Sequence, residues 1–248
     1  QSVGELFSCL PMNKVKLHTL WLLGMLFLMT ACGDDDDYYY PSVKLEFVTV
    51  KAGADGLIQS LLPDKGELLT VAKDRTGSTI SPNSARRVIS NYEVNPEDAT
   101  AVIYSLQSVV TPEPKGADDP AFEGGLKYDP VDVTSIWLGR DYLNMILNVK
   151  ININSGKQHV FGMIEESVES EGDETVVTLS LFHDANGDEE NYNRRAYISV
   201  PLTKYVDEEN PHQTIRIKFK YHTTDKNGVV VESSKYCDPG FEYVPDGN

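Results

Sequence analysis

The sequence predicts an all-β protein in which a small closed barrel is followed by an antiparallel β-sandwich. From Val43 onward, short segments alternate apolar and polar residues, which is the pattern of half-buried strands. Clusters of Gly, Pro, Asn and Asp separate these segments and supply the turns between them. No segment in this part carries apolar residues at helical spacing over more than one or two turns, so no helix of ordinary length is predicted.

Residues 1–31 predict a secretory signal that precedes the folded part. A basic segment beginning at Met12 leads into the apolar run 20–28. This run is shorter than the roughly 20 apolar residues that a membrane-spanning helix needs. The small residue Ala31 precedes Cys32, so the segment resembles a bacterial lipoprotein signal, and this resemblance implies cleavage and a lipid on Cys32.

Two alternatives to a lipoprotein signal stay open. One is an uncleaved membrane anchor, which the short apolar run disfavours. The other is an ordinary signal peptide with an unrelated cysteine, because Met29 stands where lipoprotein signals prefer Leu. Residues 1–11 lie upstream of the expected start at Met12 and are excluded from the fold prediction.

Residues 32–42 form a predicted acidic tether. Asp34 to Asp37 follow Cys32 almost at once, and Tyr38 to Tyr40 close the segment. The acidic tract resembles the export signal of Bacteroidota lipoproteins, which implies an outer membrane lipoprotein on the cell surface. A periplasm-facing lipoprotein is the alternative, since clustered like charges also make a simple solvated spacer.

The charge of the chain excludes some classes of partner. The sequence carries 22 Lys and Arg against 38 Asp and Glu, a formal net charge of −16. Such a field repels nucleic acid phosphates, so no nucleic acid partner is expected. The remaining partners are the membrane, reached through the lipid on Cys32, and a protein or a glycan of unknown identity.

The cysteines predict a fold without intrachain disulfides. Cys9 precedes the expected start and Cys32 carries the lipid, which leaves Cys237 alone. A nucleophile and an intermolecular bridge are alternatives for Cys237, but a small apolar filler is the commoner role.

Residues 43–110 predict an OB-like barrel. Five short strands fall within about 70 residues, and a five-stranded OB-type barrel is the common all-β solution of that size. Val48 and Val50 change face relative to Phe47, which predicts a bulge or a bend in the first strand. The predicted strands cover residues 43–50, 57–62, 68–72, 87–94 and 101–110.

Residues 111–130 predict a linker or crossing loop between two domains. Prolines at 112, 114, 120 and 130 cannot donate ladder hydrogen bonds, and three glycines loosen the backbone. The domain boundary is therefore placed in this segment.

Residues 131–248 predict a β-sandwich of six or seven antiparallel strands. The clearest strand runs from Leu143 to Ile153, with one continuous apolar face that is expected to line the core. Its other face is mostly polar and is expected to meet water. The dipeptide Asn186-Gly187 predicts a two-residue hairpin turn. The other predicted strands cover residues 131–138, 159–164, 175–183, 195–202 and 215–221.

This arrangement of signal, acidic tether, small barrel and sandwich resembles the NigD-like lipoproteins over nearly the whole mature chain. The resemblance implies an outer-envelope lipoprotein from a family named for a member encoded beside a bacteriocin system. It brings no catalytic residues to this sequence.

Candidate metal sites are weak. Asp184, Asn186 and Asp188 occupy the first three positions of a calcium-loop pattern, but Glu189 replaces the required Gly and Arg195 replaces the bidentate Glu. The four histidines of the mature chain fall on different predicted strands or loops with no close pair to form a zinc site. No metal and no cofactor are therefore expected.

The sequence favours a non-enzymatic binding protein. It has no nucleophile elbow, zinc-protease motif or phosphate-binding glycine loop. The first hypothesis is a protein-interaction module, bacteriocin-related or immunity-like; the alternative is a glycan-binding accessory lipoprotein for nutrient capture. Trp137 is the candidate aromatic platform for a glycan, and Tyr38 to Tyr40 are the others. The basic stripe of Arg216, Lys218 and Lys220 is a candidate anion surface, or pairs with acidic neighbours on the sheet.

Overall fold

The computed structural model describes residues 43–171, 174–188, 192–207, 209–210 and 213–245. The chain divides into two units, residues 1–41 and residues 42–248. The predictions for the signal, for Cys32 and for Tyr38 to Tyr40 fall outside the described residues. Within the described part, no helix combines the length and the apolarity needed to span a bilayer.

The first domain is a closed five-stranded barrel with strand order β1-β2-β3-β5-β4. Its core consists of alternate residues on facing strands, among them Val48, Leu61, Tyr92 and Ile103. The parallel pair of β3 and β5 closes the barrel, and the other neighbours are antiparallel. The strands are β1 (Val43–Ala52), β2 (Ile58–Pro63), β3 (Leu69–Asp74), β4 (Ala85–Asn95) and β5 (Thr100–Ser108).

The first strand buries residues on both of its faces. Val48 and Val50 point into the barrel, while Phe47 points outward and is nevertheless buried. The pairing of β1 with β4 runs from Val43 to Lys51 without a register shift, so this pairing has no bulge after Phe47. The apolar residues change face because the second domain covers the outer side of this strand.

The second domain is a sandwich of a five-stranded sheet, ordered β13-β12-β10-β9-β6, and a three-stranded sheet, ordered β11-β8-β7. Together with the barrel, it confirms the predicted all-β fold. The strands are β6 (Pro114–Gly116), β7 (Asp132–Gly139), β8 (Tyr142–Ile151), β9 (Val160–Glu171), β10 (Glu174–Asp184), β11 (Tyr192–Pro201), β12 (Thr214–Thr224) and β13 (Val230–Tyr243).

Two strand pairs of the sandwich are parallel rather than antiparallel. These pairs are β10 with β12 and β6 with β9. The chain leaves β10, forms β11 in the opposite sheet and then returns as β12, and such a crossover produces a parallel pair. Asn186 and Gly187 both have positive φ, as a type I′ turn requires, but they join two sheets. The expected hairpin between their flanking strands is therefore wrong.

The apolar face of β8 lines the sandwich core as predicted. Leu143, Met145 and Leu147 are fully buried there, together with residues of β10, β11 and β12. The expectation that the opposite face meets water is wrong for the first half of this strand. Asn144 is fully buried on that face and Ile146 packs against Phe47, because the barrel docks on this side of the sheet.

The segment 111–130 lies against the sandwich. Its residues Pro114–Gly116 form β6, which pairs with β9. Phe122 lies in a short 3-10 turn and packs on Ile164 and Phe182, and Tyr128 forms a bridge with His183. The segment thus crosses the second domain, and the position of the domain boundary stays a proposal.

Candidate functional site

The candidate site is a groove between the barrel and the three-stranded sheet, here called the junction groove. It consists of two adjoining clefts of about 350 Å³ and about 840 Å³. Gln107, Arg195 and Tyr197 line both clefts, so the clefts form one continuous depression. Its walls come from β1 and β5 of the barrel and from β7, β8 and β11 of the sandwich.

A buried polar network fixes the barrel against the sheet beneath this groove. The Arg87 guanidinium donates to Asp64 at 2.5 Å, to Asn144 Oδ1 at 3.1 Å and to Ser199 Oγ at 3.0 Å. Asn144 Nδ2 also donates to the second Asp64 oxygen at 2.8 Å. A planar guanidinium between fixed acceptors sets both distance and orientation. The walls of the groove are therefore held in one geometry.

An aromatic contact supports the same arginine. The Arg87 guanidinium carbon lies 4.3 Å from the centre of the Tyr142 ring, within the range of a cation–π interaction. Ser199 Oγ donates to Asn144 Oδ1 at 2.6 Å, so the amide is held from both sides. Every polar group named in this network thus has a partner, which burial requires.

The smaller cleft has an apolar floor with charged residues at its margin, among them Glu46, Asp64 and Lys65. Phe47 and Ile89 of the barrel pack there with Trp137, Ile146 and Tyr197 of the sandwich. The rings of Phe47 and Trp137 meet edge to face, with centroids 5.3 Å apart. Because this contact half-buries the Trp137 ring, the residue is part of the domain junction and does not present the open platform that glycan stacking needs.

The larger cleft is basic at its outer end. Lys157, Arg194 and Arg195 line it, in a protein that carries an excess of acidic residues. The Lys157 ammonium donates to the carbonyl of Gly187 at 2.5 Å, which joins the two loops that close this end. Arg194 and Arg195 are exposed, and no ion pair joins either of them to another described residue. This end can therefore attract carboxylates.

His159 lines the larger cleft and its ring meets that of His183, contrary to the expectation that no close pair forms. Their Nδ1 (His159) and Nε2 (His183) atoms are 2.9 Å apart. His183 Nδ1 lies 2.9 Å from the Asp129 carbonyl oxygen, so this nitrogen carries the hydrogen and Nε2 accepts from His159. The pair could not be predicted from the sequence, because the two residues lie 24 positions apart. Only the antiparallel register of β9 and β10 brings the two rings together.

The histidine pair is structural in character. Burial lowers the pKa of His183 below its ordinary value, since a charged imidazole would lose its hydration there. His159 Nε2 faces a carboxylate oxygen of Asp188 at 3.4 Å. No group of three or more His, Cys, Asp or Glu side chains among the described residues is placed to hold a metal ion.

The acidic loop after β10 uses its carboxylates within the fold. Asp184 accepts from the backbone N–H of Asn186 at 2.7 Å, as in an Asx turn. Asp188 is buried and accepts from the backbone N–H of Asn152 at 3.0 Å. These contacts hold the loop against the end of β8 and leave the buried carboxylate facing His159 rather than solvent.

The basic stripe on β12 lies away from the junction groove. Arg216 pairs with Glu174 of the neighbouring strand β10 at 2.6 Å, and Lys220 pairs with Glu166 of β9, two strands away, at 2.8 Å. The hydrogen bonds to these carboxylates, together with their negative charge, raise the pKa of both cations because they stabilise the protonated form. Lys218 lies between them on the same face. The arrangement fits the interpretation in which the stripe neutralises acidic neighbours.

Sequence reasoning did not identify Arg87, Asp64, Asn144 or Ser199 as a cluster. The available signal is the polar residue inside an apolar strand: Asn144 and Ser199 each interrupt a core strand on the face opposite the sandwich core. Such residues pair when a second domain covers that face. Their register confirms the link, since Ser199 lies directly opposite Asn144.

Comparison with family models covers both domains. Residues 47–109 match the NigD-like N-terminal OB domain, and residues 114–233 match the NigD-like C-terminal beta sandwich domain. The second match begins within the segment that was predicted as a linker. No curated protein sequence matches the chain.

Comparison with solved structures gives a similar result. A crystal structure of a NigD-like immunity protein from Bacteroides caccae is 70% identical with a TM-score of 0.76, and the match covers 84% of this chain and 100% of that chain. A protein from Parabacteroides distasonis with a provisional toxin-related name is 16% identical, with a TM-score of 0.59 and coverage of 79% and 96%. A Bacteroides vulgatus protein of unknown function is 17% identical, with a TM-score of 0.57 and coverage of 77% and 89%. The last two show the fold alone.

Proposed function

The chain belongs to the NigD-like family, and we propose that it is a non-catalytic protein-interaction module of the immunity type that binds its partner in the junction groove. The 70% identical structure is that of a NigD-like immunity protein, which supports a toxin-related role for this chain. The junction groove is the observation that carries the site, because both domains line it and a largely buried ion pair lies beside it.

The composition of the groove suits a protein partner. The partly buried edges of Trp137 and Tyr197 line its smaller cleft, and exposed arginines line its larger cleft. Aromatic residues and arginine are the residue types that dominate binding energy at protein interfaces. A glycan site would need flat, open aromatic faces, whereas the Trp137 ring is engaged with Phe47. The alternative of glycan binding therefore gains no support from this surface.

A non-catalytic role also fits the one thiol of the described residues. Cys237 is half-buried on β13, and its Sγ lies 3.5 Å from the carbonyl oxygen of Phe219. Burial raises the pKa of the Cys237 thiol, which reduces the thiolate fraction that a nucleophile needs. This supports the role of an apolar filler.

Protection of sensitive cells tests the proposed function. The gene is deleted from its host, and the survival of deleted and complemented cells is compared during challenge with a panel of bacteriocin-producing strains. Complemented cells should survive at least one producer that kills the deleted strain. Equal survival against every producer would refute an immunity role.

We also propose that the protein is a lipoprotein of the outer membrane, anchored through Cys32 and exposed on the cell surface. The Ala31-Cys32 boundary after an apolar run and the acidic tract Asp34 to Asp37 support this proposal. A fatty-acid analogue should label the wild-type protein and leave the Cys32→Ala variant unlabelled. Protease added to intact cells should degrade the labelled protein. Equal labelling of both proteins would contradict the lipid anchor, and protection from protease would contradict surface exposure.

A further inference from the structure

The outer edge of β11 is a partly open strand edge. On its inner side β11 pairs with β8 over its whole length. On its outer side a single residue, Val110, forms a parallel bridge with Ile198. The Val110 N–H donates to the Tyr197 carbonyl and the Ser199 N–H donates to the Val110 carbonyl, each at 2.9 Å. The chain itself thus shows that this edge accepts another backbone.

The same edge continues beyond Val110 without a covering strand among the described residues. The backbone groups of successive residues point to alternate sides of a strand. Since those of Tyr197 and Ser199 point to the outer edge, those of Asn193 and Arg195 point there too. Ser108, two residues before Val110, already belongs to β5 of the barrel, and the larger cleft opens where the chain diverges. An extended segment has room beside this edge.

The side chains that flank this edge are cationic. Arg194 lies on the face of β11 that carries the core residue Ile198, and Arg195 lies on the face that carries Tyr197. An added strand would place alternate side chains on these two faces, next to one arginine or the other. Lys157 adds a third positive charge. Asp188 is the acidic residue among the described residues that line the larger cleft, and its side chain is only 1% exposed.

We propose that the edge of β11 binds an extended, carboxylate-bearing segment of a partner protein by β-strand addition. The backbone groups of Asn193 and Arg195 pair with the segment, and Arg194, Arg195 and Lys157 select its acidic side chains. The inference rests on the proposed protein-interaction function and gives the chemistry of the partner at the same groove.

A labelled peptide tests this inference on the full chain. The probe is a fluorescent nonapeptide of alternating Glu and Val, and the readout is fluorescence anisotropy. Binding should be measurable at a Kd of about 1 mM or tighter, and about tenfold weaker when Lys replaces Glu. The same peptide with N-methylated backbone amides should not bind. No binding of the acidic peptide, or equal binding of the Lys or N-methylated peptide, would overturn the proposal.

Variants of the protein separate the backbone contribution from the charge. Asn193→Pro removes one N–H that points away from β8, so the ladder inside the sheet is kept while the outer edge loses a donor. The combined change of Arg194 and Arg195 to Glu reverses the charge. Each change should weaken peptide binding about tenfold or more, whereas Lys218→Glu, a control outside the groove, should leave binding unchanged.

Thermal unfolding of each variant shows that the fold is retained. If Asn193→Pro does not fold, the N-methylated peptide alone decides the role of the backbone. If the two groove variants lose no more affinity for the peptide than Lys218→Glu loses, the inference is overturned. If the peptide binds but the protein does not protect cells, the proposed immunity function is refuted and the proposal of strand addition at β11 stands. If both groove variants still protect cells and the peptide does not bind, only the proposal of strand addition at β11 is refuted.

Discussion

Replacement of Asp64 by Ala should destabilise the protein strongly, because the buried Arg87 guanidinium would lose its carboxylate partner. The Arg87 side chain is 2% exposed and the Asp64 side chain 13%, so water cannot replace the lost carboxylate. Breaking one side of a buried ion pair costs about 3–5 kcal/mol. With a urea m-value of about 1–3 kcal/mol/M, the unfolding midpoint should fall by about 1 M or more.

The matched control is Glu166→Ala, which removes the partner of Lys220 on the sandwich surface. Both members of that pair are 28–30% exposed, so the change should cost less than about 1 kcal/mol. Arg87→Met removes the cation from this network. In that background, Asp64→Ala should lower the free energy of unfolding by only about 1 kcal/mol. If Asp64→Ala costs no more than Glu166→Ala in the urea titration, the buried pair does not hold the domain junction.

Three further predictions concern the sandwich. Leu147→Ala should lower the free energy of unfolding by about 2–5 kcal/mol, because a cavity opens in the core, whereas Ile153→Ala should change it by less than about 0.5 kcal/mol. His183 has a lowered pKa, so its contribution to stability is present above the ordinary value of 6.5 and is lost as the pH falls. Thermal unfolding measured at pH 7 and at pH 5 should therefore show a smaller loss of stability for His183→Gln than for the wild type. Equal losses would contradict this. Titration calorimetry should show no calcium binding tighter than about millimolar at the loop 184–188, and micromolar affinity that Asp184→Ala abolishes would contradict this.

The predictable part of the fold follows from periodicity within single strands. The alternation of Leu143, Met145 and Leu147 identifies a core face, because side chains of a strand point to opposite sides in turn. The burial of Asn144 on the other face depends on the docking of the barrel, which no local pattern encodes. The last strand escaped prediction because Pro239 and Gly240 interrupt its alternation.

The candidate site was less predictable because its parts are distant in sequence. Arg87 and Ser199 lie 112 residues apart, and His159 and His183 lie 24 apart. Only strand order and register bring such residues together. Trp137 was predicted as a candidate aromatic platform, but its contacts depend on the Phe47 ring of the other domain, which no local pattern predicts.

The most direct test of the account is a survival assay with a blocked junction groove. Gln107 is exposed and lines both clefts, so Gln107→Trp fills the groove without disturbing a core. Lys51→Trp adds the same side chain at an exposed position of β1 outside the groove. Host cells that lack the gene are complemented with each variant. They are then challenged with the producer strain against which the wild-type protein protects. We expect Lys51→Trp to protect the cells and Gln107→Trp to leave them sensitive. Full protection by Gln107→Trp, with both variants present at wild-type levels, would contradict binding in the junction groove.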